Sequence, residues 1–313
     1  FNYLINKLPD KKIIIYFHND PLSLRGSIKK NQRINILKKA AAVIFISEWT
    51  KKRFFRDLNH RSDDSKISVI YSSVNKKKFN TKKEKTILFV GKLNPSKGFD
   101  LFCNVITKIL DEFPKWKSYV IGDEPRAKID VSHPNLFKLG FQRHEEVLQY
   151  YDKASIAVGC SKWNEPMGRV GLESSSRGCA TIVSNKGGLP ETITNGIILN
   201  DADEEQLYLS LKKLISDDSY RKKLCLLSYK NFKNNLNKSV KQYDSVRDKI
   251  FSNSKLSLYN IRRNGPLRIL HVTNFAERHD GRLYFVSIGQ KISNGFIRSG
   301  HSVLNYSDRD IMR

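Results

Sequence analysis

Cysteine, acidic side chains and long apolar runs are all in short supply in this 313-residue chain, and each shortage excludes something. The four cysteines, Cys103, Cys160, Cys179 and Cys225, show neither paired nor metal-like spacing. That argues against a disulfide-stapled scaffold and for reduced thiols. No apolar run approaches the roughly 18 residues of a membrane-spanning helix, and no secretory leader opens the sequence. His60, His133, His144, His271, His279 and His301 show no ligand grouping, so no catalytic metal is expected. Only 31 Asp and Glu face 56 Lys and Arg, a formal net charge of +25. Such an excess favours acidic partners: nucleoside diphosphates, an anionic membrane face or nucleic acid. The lysines are nevertheless scattered among Asn and Ile, and most read as solvated surface.

What is present is a hydrophobic content of 39%, that of a soluble globular chain, at a length that suits two domains. Phe1 at the start and a stop at Arg313 in mid-pattern read as part of a longer polypeptide. Strand-like runs alternate with helix-like ones. A helix near Asn2 to Leu8 precedes a strand Ile13 to Phe17 that ends in His18-Asn19-Asp20-Pro21, the kind of strand end at which ligands gather in α/β sheets. A helix Lys29 to Ala42, a strand Val43 to Ile46, a helix capped by Ser47 and a strand Ile67 to Tyr71 follow. The basic run Asn75 to Lys85 reads as a linker. A second α/β pattern starts with strand Thr86 to Val90 and continues through helix Phe99 to Phe113 and strands Ser118 to Ile121, Leu136 to Leu139, Ile156 to Gly159 and Thr181 to Val183. Helices are predicted over His144 to Asp152, Glu204 to Ser216, Asp218 to Phe232 and Ser239 to Phe251. From Leu267 the pattern restarts with a strand, a helix Val286 to Arg298 and a strand Ser302 to Tyr306.

The chain is organised around Cys160 to Glu191. Trp163-Asn164-Glu165-Pro166 feeds into Gly168 and a helical run, so backbone N–H groups at the start of that run offer a seat for an anion. Glu165 lies before the helix and Glu173 about two turns in, so both carboxylates can face one cleft. Gly187-Gly188 lets the backbone approach a ligand closely, and Pro190 can open a short helix with Glu191 in its first turn. Lys92 and Lys97, in the loop after the first strand of this domain, can reach the same anion.

The run from Glu165 to Glu173, with Gly178, Gly187, Gly188, Pro190 and Glu191, resembles the nucleotide-sugar signature of glycosyltransferase family 4. That resemblance implies an α/β chain of GT-B type, two Rossmann-like domains facing a cleft, with the first domain incomplete at its N-terminus. The division it implies is 1–75 for the partial acceptor-side domain, 76–238 for the nucleotide-sugar-binding domain, 239–252 for a crossover helix, 253–266 for a linker and 267–313 for the start of a second glycosyltransferase-like unit. It implies a retaining hexosyltransferase that needs no cofactor or metal, uses a UDP- or GDP-sugar and acts on a glycan or lipid-linked acceptor. His18, Lys92, Lys97 and Glu165 take the catalytic positions. Gly140, Phe141, Met167, Gly168, Arg169, Val170 and Glu173 take the donor-binding ones. Lys92 stands where the family carries arginine, which forgoes a bidentate phosphate contact. Glu124 and Ser73 each replace a usual glycine.

The resemblance further implies polysaccharide or lipopolysaccharide synthesis in the cytoplasm, at the inner membrane face, with no nucleic-acid partner. Peripheral contact with anionic lipid is part of that expectation. The competing readings are a basic module that binds nucleic acid or membrane, and a degenerate transferase domain that serves as a scaffold.

Overall fold

The structure is a computed structural model that describes residues 2–8, 11–59, 64–127, 129–252, 268–273 and 290–307. It divides into two compact units, Phe1–Asn253 and Ser254–Arg313.

The first unit holds two separate parallel sheets. Helix α1 (Asn2–Lys7) precedes β1 (Ile14–Phe17), and α2 (Lys30–Lys39), β2 (Ala42–Phe45), α3 (Glu48–Phe55) and β3 (Ile67–Val69) follow. The strands pair in the order β1-β2-β3. The predicted end of α2 at Ala42 is corrected to Lys39, because all four residues of β2 are buried and their burial in the sheet outweighs the helix propensity of alanine. Phe17, Phe45 and Phe54 meet at ring-centroid distances of 5.2–5.5 Å and fill the core between sheet and α3. Ser47 caps α3, its hydroxyl accepting from the Thr50 amide. The other end is closed by buried Arg33, whose Nη1 donates to the carbonyls of Phe54 and Arg56 at 2.6 and 2.7 Å, satisfying groups that a helix end leaves orphaned.

The second sheet is larger. Its elements run β4 (Glu84–Val90), a 3-10 turn Pro95–Lys97, α4 (Phe99–Glu112), β5 (Lys117–Ile121), β6 (Leu136–Lys138), α5 (His144–Lys153), β7 (Ala154–Gly159), α6 (Val170–Ser176), β8 (Ala180–Ser184), a 3-10 turn Leu189–Thr192 and β9 (Ile197–Leu199). Helices α7 (Glu204–Ser216), α8 (Asp218–Lys230) and α9 (Leu236–Ser252) complete it. The order β6-β5-β4-β7-β8-β9, with every pair parallel, is the doubly wound arrangement. Strand order reverses between β4 and β7, and the crevice beyond their C-terminal ends is where such sheets bind ligands. Ile87, Phe89, Ile156, Val158 and Ile182 face Phe102, Ile106, Leu207 and Leu211 in the main core. Strand β9, three residues long and directly after Gly196, is too short to leave a periodic signal; it adds to the edge of β8.

The basic stretch expected to be a linker is fastened down. Phe79 packs on Tyr229 with ring centroids 5.0 Å apart, Lys77 pairs with Asp152, and the Lys83 ammonium donates to the carbonyls of Tyr151, Asp152 and Arg177. Its charges satisfy buried carbonyls that the helix ends leave open. Helix α9 returns to the first sheet, where the Tyr243 ring lies 5.7 Å from that of Tyr16.

In the second unit β10 (Arg268–Thr273) and β11 (Ser302–Ser307) pair in parallel, with α10 (Gln290–Arg298) between them in sequence. The predicted linker 253–266, the loop from 276 to 282 and the predicted first turn of the helix at 286–289 lie outside the described residues.

All four thiols are buried, and burial raises each pKa, to about 12 for Cys103, Cys160 and Cys225. A group raised on folding stabilises fully below its unfolded pKa, here about 9, and loses that contribution as pH rises from there toward about 12. Urea unfolding is therefore expected to show stability falling above pH 9, with a shallower fall in Cys225→Ala. A thiol reagent at pH 8 should label no cysteine in the native protein and all four after denaturation. Leu211→Ala, at a fully buried position, should cost about 2–5 kcal/mol, read as a lower urea midpoint.

Candidate active site

Two loops meet beyond the point where the larger sheet reverses order. After β4, Asn94 caps the Pro95–Lys97 turn, its side chain accepting from the Lys97 amide at 3.0 Å. After β7, Ser161, Lys162 and Trp163 all donate to the carbonyl of Ser96, through Oγ at 3.0 Å and through amides at 3.0 and 3.3 Å. The two loops are thereby stitched side by side. The consequence is a 2.7 Å ion pair between Lys97 Nζ and Glu165 Oε1, with the ammonium also 5.3 Å from the centre of the Trp163 ring. Glu165 is only 9% exposed, and a carboxylate so withdrawn from water requires a cation close by.

Gly168 turns the chain above that carboxylate with φ +81, a left-handed conformation that favours glycine. Its Cα faces Glu165 Oε2, which an added Cβ would approach to 3.5 Å. The helix begins at Val170 rather than at Gly168, with Arg169 at the N-cap. Val170 packs on Gly159 at the end of β7. One turn in, buried Glu173 accepts from Arg169 Nε at 2.9 Å and faces His144 Nδ1 at 3.7 Å. A second carboxylate and its cation thus flank the same turn.

The Gly187-Gly188 pair lies against the Glu165 loop. Gly187, at φ +65, forms a bridge with Glu165, and a Cβ there would run into the Glu165 backbone; Gly188 donates its amide to the Glu165 carbonyl at 2.7 Å. The close approach is to the Glu165 loop. The pair is pressed against protein because it must dock that loop, which leaves no room beside it for a side chain.

The remaining predicted positions spread around this centre. Met167 is 3% exposed and joins Ile46, Val74, Leu172 and Phe232 in an apolar cluster, so only its backbone is free for a ligand. Gly140, at φ +66, accepts from the Gly122 amide, and Phe141 projects beside it, 59% exposed. Lys92 is exposed and is not brought to the Glu165 pair; its charge acts on Glu124, whose pKa the Arg126 hydrogen bonds hold down at about 2. His18 directly follows β1 with its ring centroid 3.8 Å from that of Tyr16, and desolvation lowers its pKa, which favours the neutral ring. Among the described contacts none joins His18 to Lys97 or Glu165. No motif in the sequence marks His144 as a neighbour of Glu173. The sequence places Glu191 in the first turn of a short helix, where it stands, without marking its partners. Among the described residues no group of His, Cys, Asp or Glu is placed to hold a metal, and no helix is long and apolar enough to cross a membrane.

The comparisons with known proteins match this architecture. Spore coat protein SA of Bacillus subtilis is 23% identical over 257 residues, covering 71% of this chain and 67% of that protein. An uncharacterized 41.2 kDa protein in the cps region of Klebsiella pneumoniae is 31% identical over 147 residues, 42% of this chain and 40% of its own. The chain spans 52–67% of the length of three curated relatives. Among solved structures, HepE of Anabaena in complex with UDP superposes with a TM-score of 0.67 at 14% identity, over 80% of this chain and 77% of that one, a likeness of fold. The family profile described as glycosyl transferases group 1 covers residues 72–230, which hold both stitched loops, both carboxylate–cation pairs and the sheet beneath them; the chain belongs to that family.

Proposed function

We propose that this chain binds a nucleoside-diphosphate sugar and is the transferase part of a retaining enzyme of glycosyltransferase family 4 that moves a hexose to a glycan or lipid-linked acceptor. The observation that carries this reading is the Lys97–Glu165 pair at the sheet's switch point, with Arg169–Glu173 beside it. Each pair unites a cation suited to phosphate with a carboxylate suited to sugar hydroxyls. UDP in HepE belongs to that protein and supports the same ligand class here.

In this reading the bond from the anomeric carbon to the phosphate oxygen breaks, positive charge grows on the ring and negative charge on the departing diphosphate. Stabilising that leaving group is the largest part of catalysis. Lys97, with Lys92 drawn in from the surface, offsets its charge, and the amides at the Gly168 turn, from Met167 to Val170, point at it. The family's arginine is absent at Lys92, so the contact there is that of a point charge. Glu165 accepts from the sugar hydroxyls and stands near the positive ring. Glu173 accepts two ribose hydroxyls, and Gly140 and Phe141 hold the base. Neutral His18 faces the sugar from the other sheet. The acceptor hydroxyl gives its proton to the departing phosphate, on the face the phosphate leaves, and neither a protein base nor a metal takes part. In this reading the work is polysaccharide assembly at the inner membrane face; a relative named as a spore coat protein and another in a cps region support the polysaccharide part.

The rival readings, a basic module for nucleic acid or membrane and an inactive scaffold, predict different ligands. Calorimetric titration with UDP, GDP, ADP and their sugars should give saturable binding for at least one, and Lys97→Ala and Glu173→Ala should each weaken it. Loss of one charged hydrogen bond is worth about 1.5–3 kcal/mol, or roughly 10- to 100-fold in Kd. Equal affinity in the variants removes the assignment, and binding that tracks phosphate polymers with steep salt dependence would favour the basic module. Product from a turnover assay should keep the donor's anomeric configuration by proton NMR; an inverted linkage rules out the mechanism.

A further inference from the structure

The side of the donor loop that faces away from Lys97 is held by the other sheet. Ser47, the N-cap of α3, donates its Oγ to the Pro166 carbonyl at 2.5 Å, one residue beyond Glu165. Glu191 reaches the opposite way: its Oε2 and Oε1 accept from the amides of Glu48 and Trp49, each at 2.8 Å. These are the first two N–H groups of α3, the groups a helix leaves without partners of its own. Here they are satisfied by a carboxylate from another layer, which the helix dipole further favours. The Tyr71 hydroxyl, at the end of the first sheet, is also near Glu191: burial raises its pKa, and that carboxylate raises it further. Behind these bonds Ile46, Val74, Met167 and Leu172 form a dry cluster that spans the two sheets.

We propose that Glu191 is a positioning residue, a latch that seats α3 on the donor domain and thereby fixes the loop carrying Glu165. The path is short. Glu191 follows Gly188 by three residues in one 3-10 turn; Gly188 donates to the Glu165 carbonyl; Ser47, the residue before the latched amides, grips Pro166. The loop 165–168 is therefore clamped between Gly188 and Ser47, and the Ser47 half of the clamp holds while α3 is seated. Releasing the carboxylate removes two charge-assisted hydrogen bonds and frees the Ser47 side of the clamp. This inference rests on the proposed role of Glu165 at the donor sugar. It adds that the sugar half of the site is assembled by the first sheet, whereas the residues proposed for the nucleotide half, Glu173, Gly140 and Phe141, sit on the second sheet alone.

Two measurements on the 313-residue chain test this, with Glu191→Gln and Glu191→Ala. In amide hydrogen exchange followed by NMR, Glu48 and Trp49 should exchange at least tenfold faster in Glu191→Ala, with Gly188 and the amides of 167–168 accelerating in parallel and the β4 and β7 amides unchanged. Glu191→Gln, which keeps the shape and one strong acceptor, should fall between. The second measurement is affinity. UDP-glucose should bind at least fivefold more weakly in Glu191→Ala, while UDP changes less than twofold, a split that a general loss of stability would not produce. Unchanged exchange at Glu48 and Trp49 overturns the latch. Faster exchange there with no change at 167–168 and 188 overturns its coupling to the donor loop, as does equal weakening of UDP and UDP-glucose. If another nucleotide and its sugar are the pair that the unaltered chain binds, the same split is read with that pair; if it binds none of UDP, GDP, ADP or their sugars, the proposed function fails and the latch is judged by exchange alone.

Discussion

A buried carboxylate with a single ammonium beside it governs the arrangement of this molecule. Glu165 is withdrawn from water, and an unpaired charge there would cost several kcal/mol. The chain meets that cost by bringing Lys97 to 2.7 Å across two loops from different strands. The demand propagates outward: the Ser96 carbonyl is shared by three donors, the Gly168 turn takes a left-handed shape, and Gly187 lies flat against the Glu165 backbone. A nonpolar residue at 165 would need no cation beside it, which is why the pair reads as a site.

The second pair, Arg169 with Glu173, repeats the device with a different exposure. Glu173 is buried, whereas the Arg169 side chain is 55% exposed. Both carboxylates therefore already hold a cation in place of the hydroxyls they are proposed to bind, and both cations hold a carboxylate in place of a phosphate. Under the proposed function, donor binding would exchange partners within the site, phosphate taking the cations and sugar hydroxyls the carboxylates, instead of filling empty valences.

Much of this was legible in the residues. The alternation of apolar runs and amphipathic helices located nearly every element, because burial on one face leaves a period that composition cannot mimic. The Ser47 cap and the turn at Pro190 were readable from local chemistry. The boundaries shifted where tertiary burial prevailed, as at Ala42, and β9 escaped because three residues carry no period. At the site, the ordering of Glu165, Gly168 and Glu173 showed that both carboxylates belong to one turn. What could not be read was pairing across the fold. Nothing in the run Gly187-Gly188 distinguishes a backbone that approaches a ligand from one that approaches another loop. Nothing at His144 signals Glu173 as its neighbour, and Met167 gives no sign that its side chain is spent on a core. Long-range contacts leave no local trace in sequence.

The stretch 75–85, pinned along its length by Phe79, Lys77 and Lys83, has a mechanical corollary. The chain passes between the sheets twice, once before Asn75 and once before Leu236, and these passages are bonded to each other: the Val74 amide donates to the Asn234 carbonyl, and Ser239 Oγ to the Tyr71 carbonyl. Two strands of polypeptide joined in this way act as the spine of a book. Any rotation of one cover against the other must either keep these cross-bonds or break them, so the two passages tie the sheets together where the chain crosses.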